Sequence, residues 1–137
     1  MLLAIMLEQE YIMDLYLVNS FIIDLRDNPG GLLDQSVKVA SHFLYHNRLI
    51  VYTQGRGNNT YSEYRAKHSN SLYFMPVIIL INQHSASAAE IVAGALRDSG
   101  KALILGENSY GKGTVQTIFR TSDGSGLRLT TSKYYTP

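Results

Sequence analysis

Two short apolar runs, Val77–Ile81 (VIILI) and Ala102–Leu105 (ALIL), flank a helical pattern, and no other feature restricts the fold of this chain as much. A strand that is apolar at every residue suits a sheet covered on both faces. Between the runs, Ile91, Val92, Ala95 and Leu96 recur at helical spacing, and Gly100 is a natural stop for the helix expected over about 88–98. Strand, helix, strand in that order predicts parallel pairing through a crossover helix. Phe21–Leu25 (FIIDL) is another buried-strand candidate. It ends in Arg26-Asp27-Asn28-Pro29-Gly30-Gly31, a strong turn signal. Leu32, Leu33, Val37, Ala40, Phe43 and Leu44 then predict a helix over about 32–45.

Other segments alternate. Arg48–Thr53 and Thr60–Ala66 predict a hairpin within 49–66, and residues 114–120 and 126–132 predict a second one around SDGSG. Residues 67–73 read as loop. At the start, MLLAIML suggests a buried strand and residues 8–19 a weak helix with Tyr11, Leu15 and Val18 on one face. The apolar opening is too short for a membrane span and lacks the basic start and small-residue cleavage site of a signal peptide.

With 137 residues, 45% hydrophobic and 17% charged, the chain suits one globular domain. A net charge of +1 without a basic stripe argues against nucleic-acid binding. The absence of cysteine excludes disulfides, thiolate metal sites and a cysteine nucleophile.

Chemistry concentrates in two places. Ser87 lies just past the first apolar run and just before a helix, where unpaired N–H groups, beginning with that of Ala88, can stabilise an oxyanion. Ser87-Ala88-Ala89-Glu90 also matches a capping box, and caps far outnumber nucleophiles. Lys112, between Gly111 and Gly113, is the candidate base, because a neutral lysine can deprotonate serine. If 112–116 is extended, Gln116 shares its face and can orient the amine. The alternative is a solvated turn lysine. His84 has no obvious carboxylate to orient it and reads as a loop histidine.

The Gly106–Gly113 run is not a phosphate loop, since glycine follows the lysine and a strand pattern follows that. His42 and His46, four apart, lack the glutamate of a zinc-protease helix. Asp24, Arg26 and Asp27 suit ion pairs that pin a loop, while the Gly30-Gly31 pair offers a second N–H to an oxyanion. Both this turn and Ser87 follow strand ends, so they can converge beyond the carboxyl edge of one sheet.

At these residues the chain resembles the C-terminal processing peptidases, or tail-specific proteases, which are Ser/Lys-dyad serine peptidases of S41 type. FIIDLRDNPGGLLDQSVKVASHFL, VIILINQHSASAAEIVAGALRDSGKALILGE and YGKGTVQT running on to LRLTTSKYYTP match in the family's order, from residue 21 to 137. The resemblance implies Ser87 as nucleophile, Lys112 as general base and Gln116 as its orienter. It implies an oxyanion hole from the backbone of Ala88 and of Gly30 or Gly31. It implies an α/β fold, a ClpP/crotonase-like layered core of parallel β-α-β units with added hairpins, incomplete in this chain. No metal or cofactor is implied. The substrates would be proteins or peptides engaged at their C-termini, the location exported, and a homo-oligomer is compatible.

Family members also carry a PDZ domain, an N-terminal helical region and further chain after the core. None is visible here, so the expectation is a single, shortened peptidase core over 1–137, with 1–20 matching least. Ala89 replaces the third serine of the family's Ser-x-Ser-x-Ser-Glu, a position that is not the nucleophile. The rivals are a non-catalytic fragment that binds peptides or self-associates, and a crotonase-type acyl-CoA enzyme, which has no use for a Ser/Lys pair.

Overall fold

The computed structural model describes residues 18–57, 60–67 and 71–137. The strand expected at 1–7 and most of the helix expected over 8–19 lie outside them, and residues 18–20 are coil. In chain order come β1 (Phe21–Asp24), α1 (Leu33–Phe43), β2 (Leu49–Gly55), β3 (Ser62–Arg65), a 3-10 turn (Ser71–Phe74) and β4 (Val77–Ile81). There follow α2 (Ala88–Asp98), β5 (Ala102–Gly106), β6 (Thr114–Arg120) and β7 (Gly126–Tyr135). The 3-10 turn replaces part of the loop expected over 67–73, and it buries Leu72 under its own short turn.

β1, β4 and β5 form a parallel sheet in the order β1-β4-β5, in register from Phe21↔Val77 and Val77↔Ala102. The expected β-α-β unit is therefore present. Its inner face carries Ile23, Val77 and Ile79 into a core shared with Val37, Ala40 and Phe43 of α1 and Ile91, Ala95 and Leu96 of α2. The Phe21 and Phe43 rings meet edge to face at 5.5 Å. Both helices are amphipathic, and α1 packs along α2.

The outer face differs from the expectation of strands buried on both sides. Ile22, Leu103 and Leu105 are 69, 70 and 52% exposed. An unbroken apolar run marks a strand whose two faces both suit burial, but what covers each face is a property of the layers around it. Among the described residues, both helices lie on the inner side.

The second sheet is antiparallel, in the order β3-β2-β7-β6, and contains both predicted hairpins. β7 reaches past the expected end to Tyr135, because its last residues pair with β2 from Tyr52↔Tyr135 to Gly55↔Ser132, with Ser132 and Lys133 paired to β6 on their other side. The Tyr52 and Tyr135 rings stack directly across this junction, 5.0 Å apart. The junction carries the end of β7 over α2, where Thr136 lies against Gly94.

Candidate active site

Parallel strands send their following loops to one edge of the sheet. The loop after β1 carries Gly30 and Gly31, that after β4 carries Ser87, and that after β5 carries Lys112. Adjacent strands thus deliver all three candidate groups to neighbouring positions.

The first two loops are stitched together by short polar side chains. Asn82 accepts the Asp27 N–H at 3.0 Å and donates its amide to Asp27 Oδ1 at 2.9 Å. The fully buried Ser85 hydroxyl donates to the Leu25 carbonyl at 2.6 Å and accepts the Asn82 N–H at 3.0 Å. The Ala86 N–H donates to the Asn28 carbonyl at 2.9 Å. Ser85→Ala is expected to destabilise the protein by about 1–3 kcal/mol, because it strands a polar group inside the seam. Denaturant unfolding measures this, and an unchanged midpoint would show that the seam does not depend on the hydroxyl.

On its outer side the β1 turn is held by Asp24, whose carboxylate accepts Arg26 Nη2 at 2.6 Å and Nε at 2.9 Å. These bonds hold the Asp24 carboxyl down at about 2. Asp24 and Arg26 therefore form the expected loop-pinning pair.

Gly30 has φ +96 and lies so close to the Ser87 loop that a Cβ there would stand 2.5 Å from the Ala86 carbonyl oxygen and 2.7 Å from the Ala88 nitrogen. The turn and the loop therefore do converge. The geometry also separates the two glycines. The Gly30 N–H is occupied, donating to Asn28 Oδ1 at 2.9 Å. Among the described residues the N–H groups of Gly31 and Ala88 have no acceptor. Gly31 directly follows Gly30, the residue packed against the Ala88 nitrogen.

Ser87 begins α2 with φ 56 and ψ −117, a backbone conformation that non-glycine residues rarely adopt. It sits in the capping box foreseen from the sequence, and its N–H donates to Glu90 Oε2 at 2.8 Å. The capping box, in which the Ser87 side chain also faces the Glu90 N–H, is thus present, and the half-buried Ser87 lines a cavity of about 190 Å³ as well. Lys112 lines the same cavity from the turn after β5, and Val51, Ile91, Tyr134 and Thr136 give it apolar walls. Burial raises the Tyr134 hydroxyl above the usual phenol range.

Lys112 itself is exposed, and its ammonium has no hydrogen bond or ion pair among the described residues. Gln116, on β6, donates its amide to Thr130 Oγ1 at 2.6 Å and does not line the cavity. His84 is exposed beside Gln83, and the His46 ring meets the Lys67 carbonyl at 3.0 Å.

One residue of this site escaped the sequence as anything more than a cap. Glu90 accepts Ser109 Oγ at 2.7 Å and the N–H groups of Gly111 at 2.7 Å and Lys112 at 2.9 Å, besides that of Ser87. Burial pushes its carboxyl up, but these hydrogen bonds together outweigh burial and hold it below the ordinary value.

Residues 9–137 match the model of peptidase family S41. The chain belongs to that family. A carboxy-terminal-processing protease of Bartonella bacilliformis is 49% identical over 120 residues, covering 88% of this chain and 27% of that protein. The chloroplastic carboxyl-terminal-processing peptidase 2 of Arabidopsis thaliana is 41% identical over 88% of the chain and 23% of its own length. Among solved structures, a photosystem II D1 C-terminal processing protease superposes with a TM-score of 0.78 at 33% identity, over 98% of this chain and 32% of that one. The chain thus spans about a quarter of the length of the curated S41 relatives it matches. The mixed sheet architecture expected from the sequence is an S41 fold.

Proposed function

We propose that this S41 chain carries the cleavage centre of a serine endopeptidase that cuts protein substrates near their C-termini. One observation carries the proposal: Ser87 and Lys112 line one cavity, and the Gly30-Gly31 turn packs against the Ala86–Ala88 backbone at that serine. Ser87 Oγ attacks the scissile carbonyl as neutral Lys112 Nζ takes its proton. The carbonyl electrons move onto an oxyanion held by Ala88 N–H and Gly31 N–H. Collapse expels the amine, which takes the proton back from Lys112. Water, losing a proton to Lys112, then attacks the acyl-serine; the adduct collapses as Ser87 Oγ takes that proton back from Lys112, which releases the new carboxyl terminus and restores the neutral amine.

The orienting role for Gln116 rests on the family resemblance alone: its NH₂ is given to Thr130, β6 begins only at Thr114, and its register shifts between Val115 and Gln116. Proteins engaged at their C-termini are the substrates that the names of the relatives suggest, and an exported location is compatible with the chloroplastic relative.

An active-site fluorophosphonate tests the proposal. Stoichiometric labelling on the peptide containing Ser87, absent in Ser87→Ala, is the expected result. No labelling of the intact protein would favour a non-catalytic, peptide-binding domain.

A further inference from the structure

The Lys112 turn has little of its own to hold it in place. Residues 107–113 form no strand or helix, and Gly111, at φ +83, bends the chain so that two successive amides face one way. Both point at the Glu90 carboxylate. The other attachments to the rest of the chain are Glu107 N–H to the Ile81 carbonyl at 3.2 Å, Tyr110 N–H to the Ser85 carbonyl at 3.0 Å and Tyr134 N–H to the Gly113 carbonyl at 2.9 Å. Glu90 stands on the first turn of α2, three residues after Ser87, and also holds the Ser87 N–H. One carboxylate therefore bonds to the backbone of both residues of the dyad.

We propose that Glu90 is a positioning residue: its carboxylate clamps the Gly111–Lys112 turn onto the start of α2 and so fixes the lysine relative to the serine. The inference rests on the dyad assigned above. A carboxylate is suited to the task because it only accepts, and all four of its partners only need to donate. Oε1 takes Ser109 and Gly111, while Oε2 takes Ser87 and Lys112. Glutamine in its place would keep the shape but turn an NH₂ toward two donors. That breaks half of the clamp without opening a cavity. Ser109→Ala is the milder variant, removing one donor and leaving both amides in place.

The test combines amide hydrogen exchange with fluorophosphonate acylation, on the intact protein and on Glu90→Gln and Ser109→Ala. In Glu90→Gln the Gly111 and Lys112 amides are expected to exchange at least about tenfold faster, while β4 and the middle of α2 keep their protection. Acylation of Ser87 should slow by about a hundredfold, as a small displacement of a reacting group can do. Peptide cleavage should lose kcat with little change in KM. Ser109→Ala should fall between the two on each measure, which keeps the test decisive if Glu90→Gln folds poorly. Unchanged exchange at Gly111 and Lys112 would overturn the clamp. Faster exchange with undiminished acylation would overturn its positioning role. Failure of the parent protein to label at Ser87 would instead sink the dyad, with the exchange result still deciding whether Glu90 holds the turn.

Discussion

Lys112→Ala should cleave peptide about 10²–10⁴-fold more slowly than the parent, the range for loss of a general base. The expectation stems from Lys112 lining the Ser87 cavity with its ammonium free of any partner among the described residues. An exposed turn lysine with no ion pair contributes little to stability, so the variant should melt with the parent. Lys112→Arg makes the test sharper. It preserves the positive charge and much of the length, but a guanidinium does not give up its proton in a protein. A lysine serving as base predicts that arginine fails as badly as alanine, whereas a lysine serving as a fixed charge predicts that arginine rescues. Steady-state kinetics on both variants decide between them, and arginine rescue would remove Lys112 from the base role.

Gly30→Ala should be the more damaging of the two changes to the oxyanion turn. The new methyl would stand 2.5 Å from the Ala86 carbonyl oxygen and 2.9 Å from the Ser87 Cβ, and φ +96 suits glycine alone. Backbone strain of this kind costs about 1–3 kcal/mol, so the melting temperature should drop. The turn must also back away from the nucleophile loop, carrying the Gly31 N–H with it. Loss of one oxyanion donor lowers kcat by about 10²–10³-fold. Gly31→Ala is the matched control, since nothing lies within 4 Å of a Cβ there and the N–H is retained. It should keep most of its activity and stability. Equal damage from both substitutions, or none from Gly30→Ala, would refute the assignment of the turn.

The parallel sheet was legible in the sequence because its strands are short, apolar and separated by one well-marked helix, so pattern and topology agree. The placing of Ser87 and Lys112 after neighbouring parallel strands was legible from the order of the elements. The different hydrogen bonding of Gly30 and Gly31 was not, since it turns on which N–H Asn28 already occupies. The Glu90 clamp was also hidden. A Ser-x-x-Glu spacing explains one of its four bonds, and the other three come from a turn about twenty residues away whose path depends on β5. The joining of β7 to β2 escaped for a similar reason: Tyr52 and Tyr135 lie at distant points of the chain, and alternation gives a strand no partner. The uncovered face of the first sheet contradicted the pattern outright. Hydrophobicity at Ile22, Leu103 and Leu105 says that these residues suit a dry environment, not that one surrounds them.

The backbone at Ser87, at φ 56 and ψ −117, bears on how such a chain evolves. A serine held there is disfavoured by about 1–3 kcal/mol, whereas glycine accepts such angles freely. If Ser87 is the nucleophile proposed above, selection for cleavage and selection for folding pull this position in opposite directions. Where that activity is not required, glycine in its place would relieve the strain and remove the nucleophile. Silent descendants of such a domain should therefore be easy for a genome to acquire and, once acquired, slow to reverse.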